Sequence, residues 1–269
     1  MDMHIKGNDL IFTCPDLVLA HTLDCGQAFR WEQVDEDTFT GAVGRRTLTI
    51  SQHGDTFTLH DTSPEDFPFW SEYLDLDTDY GSIKTRLSED ATLRIACAYG
   101  HGIRLLRQPP EETLLSFIIS QNNNIPRIKG IIGRLCDIYG GFPTAADMKD
   151  ATAETLAPLR AGFRTKYLLD CIARINSGEL DLDAVASADL DTAADMLMTV
   201  KGVGIKVAMC TLLFGFHRTG AYPVDVWMRR VNERFYPDGH PECTRGIEGI
   251  AQQYLFYAIR DGILDKEEG

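Results

Sequence analysis

The residues whose types and spacing best suit chemistry lie between Met198 and Arg230. An acid-rich helix ends near Val200, Lys201-Gly202-Val203-Gly204 makes a tight bend, and Ile205-Lys206-Val207-Ala208 opens the next helix. Two glycines two apart let the backbone turn sharply and bring consecutive N–H groups close to an anion. The positive N-terminus of the following helix adds to the same site. Gly202, Val203 and Gly204 are therefore candidates to grip a phosphate. Taken alone, a Gly-x-Gly pair is more often an ordinary turn. A dinucleotide fingerprint needs a preceding strand and a third glycine, and a P-loop needs four residues between its glycines; neither pattern is present.

The elements around this segment read as α+β. Phe39, Gly41 and Val43, then Leu48 and Ile50, then Phe57 and Leu59 follow a period of two. Asp35-Glu36-Asp37, Gly44-Arg45 and His53-Gly54-Asp55 supply turns between them, and such short connections favour an antiparallel sheet. After Pro68 the pattern becomes helical, with Leu114, Leu115, Ile118 and Ile119 on one face of a helix that Pro109-Pro110 begins. Further helices are expected at 126–139, 165–176, 189–198, 206–216, 226–235 and 247–259. The expected division is an antiparallel β-sheet domain over 1–88 and a helical region over 89–269. The latter holds two helices joined by that tight bend at about 189–216, followed by a loop at 220–225.

Composition narrows the function classes. With 269 residues, 44% apolar and 25% charged, the chain has the balance of an ordinary globular protein. No apolar run reaches the roughly 20 residues of a transmembrane helix, so no membrane is expected. The start, Met1-Asp2-Met3-His4, has no secretory pattern. Seven scattered cysteines, never paired as C-x-x-C, suit a reducing, cytoplasmic setting and neither a disulfide framework nor a metal site. The net charge of −14 disfavours a polyanion partner in total. Its distribution matters more: residues 1–88 hold 6 basic and 16 acidic residues, whereas 94–174 hold 11 and 7.

Spacing across the chain then carries a resemblance. The hairpin at 201–204, Lys206, and the loop residues Gly220, Pro223 and Asp225 resemble the helix-hairpin-helix DNA glycosylases. Four more stretches resemble the 8-oxoguanine DNA glycosylases among them: Cys25-Gly26-Gln27-Ala28-Phe29-Arg30-Trp31, Ser120-Gln121-Asn122-Asn123-Asn124-Ile125-Pro126-Arg127, Gly162-Phe163-Arg164-Thr165-Lys166-Tyr167 and Ala251-Gln252-Gln253-Tyr254-Leu255-Phe256. Together these matches span residues 26–256.

The resemblance implies a bifunctional glycosylase and abasic-site lyase that excises 8-oxoguanine, preferably opposite cytosine, from double-stranded DNA. It implies a monomer that needs no cofactor or metal and works on the nucleoid. A base inside a duplex cannot be reached, so it must be extruded. Lys206 would be the nucleophile that attacks the sugar C1′ and forms a Schiff base, acting through its neutral amine. Asp225 would orient it or stabilise developing positive charge; an N-cap role for the helix at Val226 is compatible. Cys210, four residues after Lys206, and Phe256 would flank the base, Gln252 would read its edge, and the Gly26 carbonyl would accept the N7 hydrogen that oxidation creates. Three of these have a plainer reading: Cys210 as a small core thiol, Phe256 as a core aromatic and Gly26 as a simple turn.

Asn122 would enter the vacated stack, Arg127 and Arg164 would meet the orphaned cytosine, and Phe163 would be the wedge that keeps the duplex kinked. Against these stand a helix-ending loop for the three asparagines and a solvated charge for Arg164. Three departures from the eukaryotic pattern are Trp227 for histidine, Met209 for an acidic residue and Phe163 for tyrosine. Two other functions share parts of the pattern: a glycosylase for alkylated or other damaged bases, which predicts a broad aromatic pocket, and a non-catalytic DNA-binding module, which gives Lys206 no role.

Overall fold

Leu48, Ile50, Phe57 and Leu59 alternate with polar neighbours, and these four, with Leu10 and Phe12, are each at most 3% exposed. That alternation builds a sheet with one buried face. The computed structural model describes residues 3–265. Its strands are β1 (Met3–Lys6), β2 (Asp9–Thr13), β3 (Trp31–Asp35), β4 (Thr38–Val43), β5 (Arg46–His53) and β6 (Thr56–His60), in the spatial order β1-β2-β6-β5-β4-β3. The pairs β1–β2, β2–β6, β3–β4 and β5–β6 run antiparallel. Gly44 and Gly54 take left-handed φ values of +57° and +59° in the tight connections where the sequence places turns.

Helices follow as α1 (Leu19–Leu23), α2 (Phe67–Tyr73), α3 (Tyr80–Leu87), α4 (Ala91–Tyr99), α5 (Pro110–Ser120), α6 (Ile125–Tyr139), α7 (Thr165–Ser177), α8 (Leu182–Ser187), α9 (Leu190–Met198), α10 (Ile205–Phe214), α11 (Val226–Phe235) and α12 (Glu248–Arg260). The six ranges expected from sequence after the first helix correspond to α6, α7, α9, α10, α11 and α12, with ends that differ by two residues or fewer. Acceptors at the N-caps explain several starts: Asp90 for α4, Asn124 for α6, Asp189 for α9 and Asp225 for α11 each accept a backbone N–H.

Two compact units result. The first takes in the chain up to Gly41, Leu48–Arg107 and the chain from Tyr222 onward; the second takes in Ala42–Thr47 and Gln108–Ala221. The expected cut at residue 88 falls inside the first unit. The physical reason is α12, whose residues 249–255 and 257–259 are all buried and which packs on α4. An apolar helix of that kind returns to whichever partner hides it, regardless of sequence distance.

In the first unit, Phe12 stacks on Phe57 with centroids 5.1 Å apart, and Trp31 donates to the Tyr73 hydroxyl at 2.8 Å. Arg104, 2% exposed, donates to the carbonyl oxygens of Asp16, Asp75, Leu76 and Thr78 and ties the loops around α3 together. In the second unit, α5 is buried from Thr113 to Ile119 and packs on α10, where Phe117 stacks on Phe214 at 5.5 Å. Glu112 accepts the N–H of Gly44, and the Gly44 carbonyl accepts from Phe142 N. These bonds tie the turn between β4 and β5 to this unit.

Candidate active site

In the second unit the hairpin forms as its glycines require. Val203 N donates back to Val200 O at 3.0 Å, and Val203 is 6% exposed, anchoring the bend between α9 and α10. Gly202 has φ +81°, and its Cα lies so close to Tyr167 that an added Cβ would stand 2.6 Å from the ring. Lys201 N donates to Asp170 Oδ2 at 2.7 Å, and Asp170 is paired with Arg174. The hairpin is thereby fastened to α7. Gly204 starts α10 without a side-chain cap, so the first-turn N–H groups keep their positive end for an anion.

Lys206 sits in that first turn, half-buried, with Nζ 5.2 Å from the centroid of the Phe117 ring. Cys210 lies one turn on along α10 and is 3% exposed. The structure thus places Lys206 and Cys210 on one helix, with the Phe117 ring near the amine. Sequence analysis singled out no role for Phe117; its contact with Lys206 arises only where α5 and α10 pack together.

The asparagine loop and the aromatic-arginine loop meet in the same unit. Asn122 is exposed with φ +46°, a left-handed conformation that asparagine tolerates better than most residues. Arg164 is 2% exposed and donates to the carbonyl oxygens of Gln121, Asn122 and Ala161. Burial, then the charge of Arg127, lowers its pKa. The reading of Arg164 as a solvated charge is therefore set aside, since its guanidinium is buried and spent on the backbone that carries Asn122. Arg127 is exposed on α6, its N–H bonded to Asn124 Oδ1 at 3.0 Å. Phe163 is 45% exposed, with the Arg164 guanidinium 4.4 Å from its ring centroid. The helix-ending reading of the asparagines also holds, because Asn123 Nδ2 bonds Ile119 O and Asn124 caps α6.

In the first unit Gly26, Gln252 and Phe256 share one neighbourhood. Gly26 has φ +84°, and the position of its missing Cβ is 3.4 Å from Phe256 Cε1. Gln252 lies one turn before Phe256 on α12 and is 5% exposed. Its Oε1 is buried and makes no hydrogen bond among the described residues. Such an orphaned acceptor costs about 1–3 kcal/mol unless a donor reaches it. Asp225 Oδ1 accepts the N–H groups of Trp227 and Met228, each at 2.9 Å, so the capping role is realised. Both cap bonds fall on one oxygen, leaving the other outside the cap. Val224 and Val226 beside it are 40% and 72% exposed.

The comparisons with known proteins agree with this construction. Residues 9–114 match the 8-oxoguanine DNA glycosylase N-terminal domain, and residues 115–246 match the HhH-GPD superfamily of base excision DNA repair proteins. The chain is 30% identical to the N-glycosylase/DNA lyase of Saccharomyces cerevisiae, over 87% of this chain and 72% of that protein. It is 29% identical to the Arabidopsis thaliana enzyme N-glycosylase/DNA lyase OGG1, over 84% and 69%. Among solved structures it is similar to the Clostridium acetobutylicum 8-oxoguanine glycosylase/lyase in complex with duplex DNA containing cytosine opposite the lesion. That similarity has a TM-score of 0.90 and 35% identity over 97% of this chain and 98% of that one. The fold and hairpin thus define a helix-hairpin-helix DNA repair glycosylase. Within that class the chain belongs to the 8-oxoguanine DNA glycosylase family, and it is a DNA-binding N-glycosylase/DNA lyase.

Proposed function

We propose that the protein excises 8-oxoguanine, preferentially opposite cytosine, and then cleaves the strand through a Schiff base on Lys206. The observation that carries this reading is Gln252: a buried amide with an orphaned oxygen, on the helix whose Phe256 lies against Gly26. An amide supplies acceptor and donor to a purine edge. The Gly26 carbonyl accepts the N7 hydrogen that 8-oxoguanine has and guanine lacks. A pocket for alkylated bases gives no reason for that polar pair.

Lys206 attacks C1′, the base departs, and the resulting imine allows β-elimination. Asp225 stabilises the positive charge that develops on the sugar. Phe256 offers the base an aromatic face, and Cys210 offers a small polarisable one. Gly202, Val203 and Gly204 hold a backbone phosphate with the start of α10. Asn122 fills the gap left by the extruded base, with Arg127 toward the orphaned cytosine, Arg164 holding the loop that carries Asn122, and Phe163 as wedge. The similarity to a glycosylase/lyase solved with cytosine opposite 8-oxoguanine supports the choice of partner base.

Borohydride trapping on 8-oxoguanine:cytosine and 8-oxoguanine:adenine duplexes tests the proposal. Trapping should be faster opposite cytosine and absent in Lys206→Gln. A covalent adduct that persists in that variant would assign the nucleophile to another amine.

A further inference from the structure

Gln253 is 2% exposed, and its Nε2 donates to the carbonyl oxygen of Cys25 at 3.0 Å. Its chain neighbours Tyr254 and Leu255 are also buried, so helix packing alone gives no reason for an amide there. Buried amides persist where they are bonded. This bond joins α12 to the peptide immediately before Gly26. On the other side of Gly26, the fully buried Gln27 is fixed by its own side chain. Its Nε2 donates to the carbonyl oxygens of Thr22 and Arg104, both at 2.8 Å, and its Oε1 accepts Leu106 N at 2.9 Å. Further back, Arg260 Nη1 donates to Asp24 O at 3.2 Å.

Gly26 is therefore the joint between two pinned segments, with a left-handed φ of +84°. Where those segments are held decides where its carbonyl points. Gln252, whose Oε1 is unpartnered, precedes Gln253 on the same helix. One rigid element thus sets both a side-chain contact and, through Cys25, a main-chain contact.

We propose that Gln253 is a specificity-positioning residue. By holding the Cys25 carbonyl, it aims the Gly26 carbonyl at the N7 hydrogen of 8-oxoguanine. The inference rests on the Gly26 reading given under Proposed function. Gln253 itself touches no base; it acts through the Cys25–Gly26 peptide. Hydrogen bonds weaken steeply as their angle degrades, so losing the pin costs selectivity before it costs grip on DNA.

The test measures equilibrium binding by the full chain carrying Lys206→Gln, which prevents turnover. Three duplexes are compared, with 8-oxoguanine, guanine or a tetrahydrofuran abasic analogue opposite cytosine. The parent should prefer 8-oxoguanine to guanine by about tenfold or more. Gln253→Met, which keeps the length and loses the donor, should narrow that preference by about fivefold, with abasic-analogue affinity within about threefold of the parent. Gln253→Glu, which sets a carboxylate against the Cys25 carbonyl, should narrow it further. Gly26→Ala is the reference that moves the carbonyl directly. If Gly26→Ala narrows the preference and both Gln253 variants keep it, the positioning role is overturned alone. If Gly26→Ala keeps it, or the parent shows none, the Gly26 reading falls and takes this inference with it. Equal losses on all three duplexes in both Gln253 variants would make Gln253 a support for the fold only, which also overturns the proposal.

Discussion

Arg164 Nη2 donates to the carbonyl oxygen of Asn122 at 2.7 Å, and the same guanidinium reaches the carbonyl of Gln121 through Nε at 2.8 Å. A forked cation thus holds the loop whose tip is in a left-handed conformation. Replacing Arg164 with methionine leaves those acceptors without a donor, at a cost of about 1–3 kcal/mol in urea denaturation. Arg164→Lys should recover only part of this, because an ammonium does not reproduce the fork. Preference for cytosine opposite an abasic site should fall in both. Wild-type stability in Arg164→Met would show that these bonds hold nothing.

The hairpin glycines should respond differently to a single methyl group. At Gly202 an added Cβ meets the Tyr167 ring at 2.6 Å, whereas at Gly204 it meets nothing within 4 Å and φ is −103°. Gly202→Ala should therefore lose about 1–3 kcal/mol of stability through overpacking. Gly204→Ala should melt close to wild type but bind DNA more weakly, because its methyl group stands where a phosphate approaches. Affinity unchanged in Gly204→Ala would remove the bend from the phosphate contacts.

Asp225→Asn separates the helix-capping role of that residue from its proposed catalytic one. Asparagine caps a helix as well as aspartate does, so the bonds from Trp227 and Met228 should survive and thermal stability should hold. The charge is lost, and base excision under single-turnover conditions should fall on the order of a hundredfold or more. Normal turnover would leave Asp225 as a cap only.

Acid should weaken the fold through His21. Burial, and then the neighbouring His101, lowers its pKa from 6.5 to about 4. Its Nδ1 accepts the N–H of Gly102, which needs the neutral ring. The fold therefore favours the unprotonated form. That stabilisation is complete above pH 6.5 and is lost as the pH falls toward 4. His21→Gln should flatten the dependence of the melting midpoint on pH across this window. An unchanged slope would place the acid sensitivity elsewhere.

Much was legible in the sequence because it depends on neighbours along the chain. The period of two in Leu48–Ile50 and Phe57–Leu59, the glycines at the bends and the cap at Asp225 are local choices, and each appears where the pattern placed it. Gly202 and Gly204 likewise marked the tight bend between α9 and α10. What the tertiary structure alone decided is which distant segments meet. No local rule sends α12 back to α4, since an apolar face is satisfied by any partner that excludes water. Nor does one assign Gln253 to the Cys25 carbonyl across 228 residues, or bury Arg164 under the asparagine loop. Those contacts follow from burial: once the chain has closed, a buried polar group must be bonded, and the donor within reach is set by the fold rather than by the residues beside it.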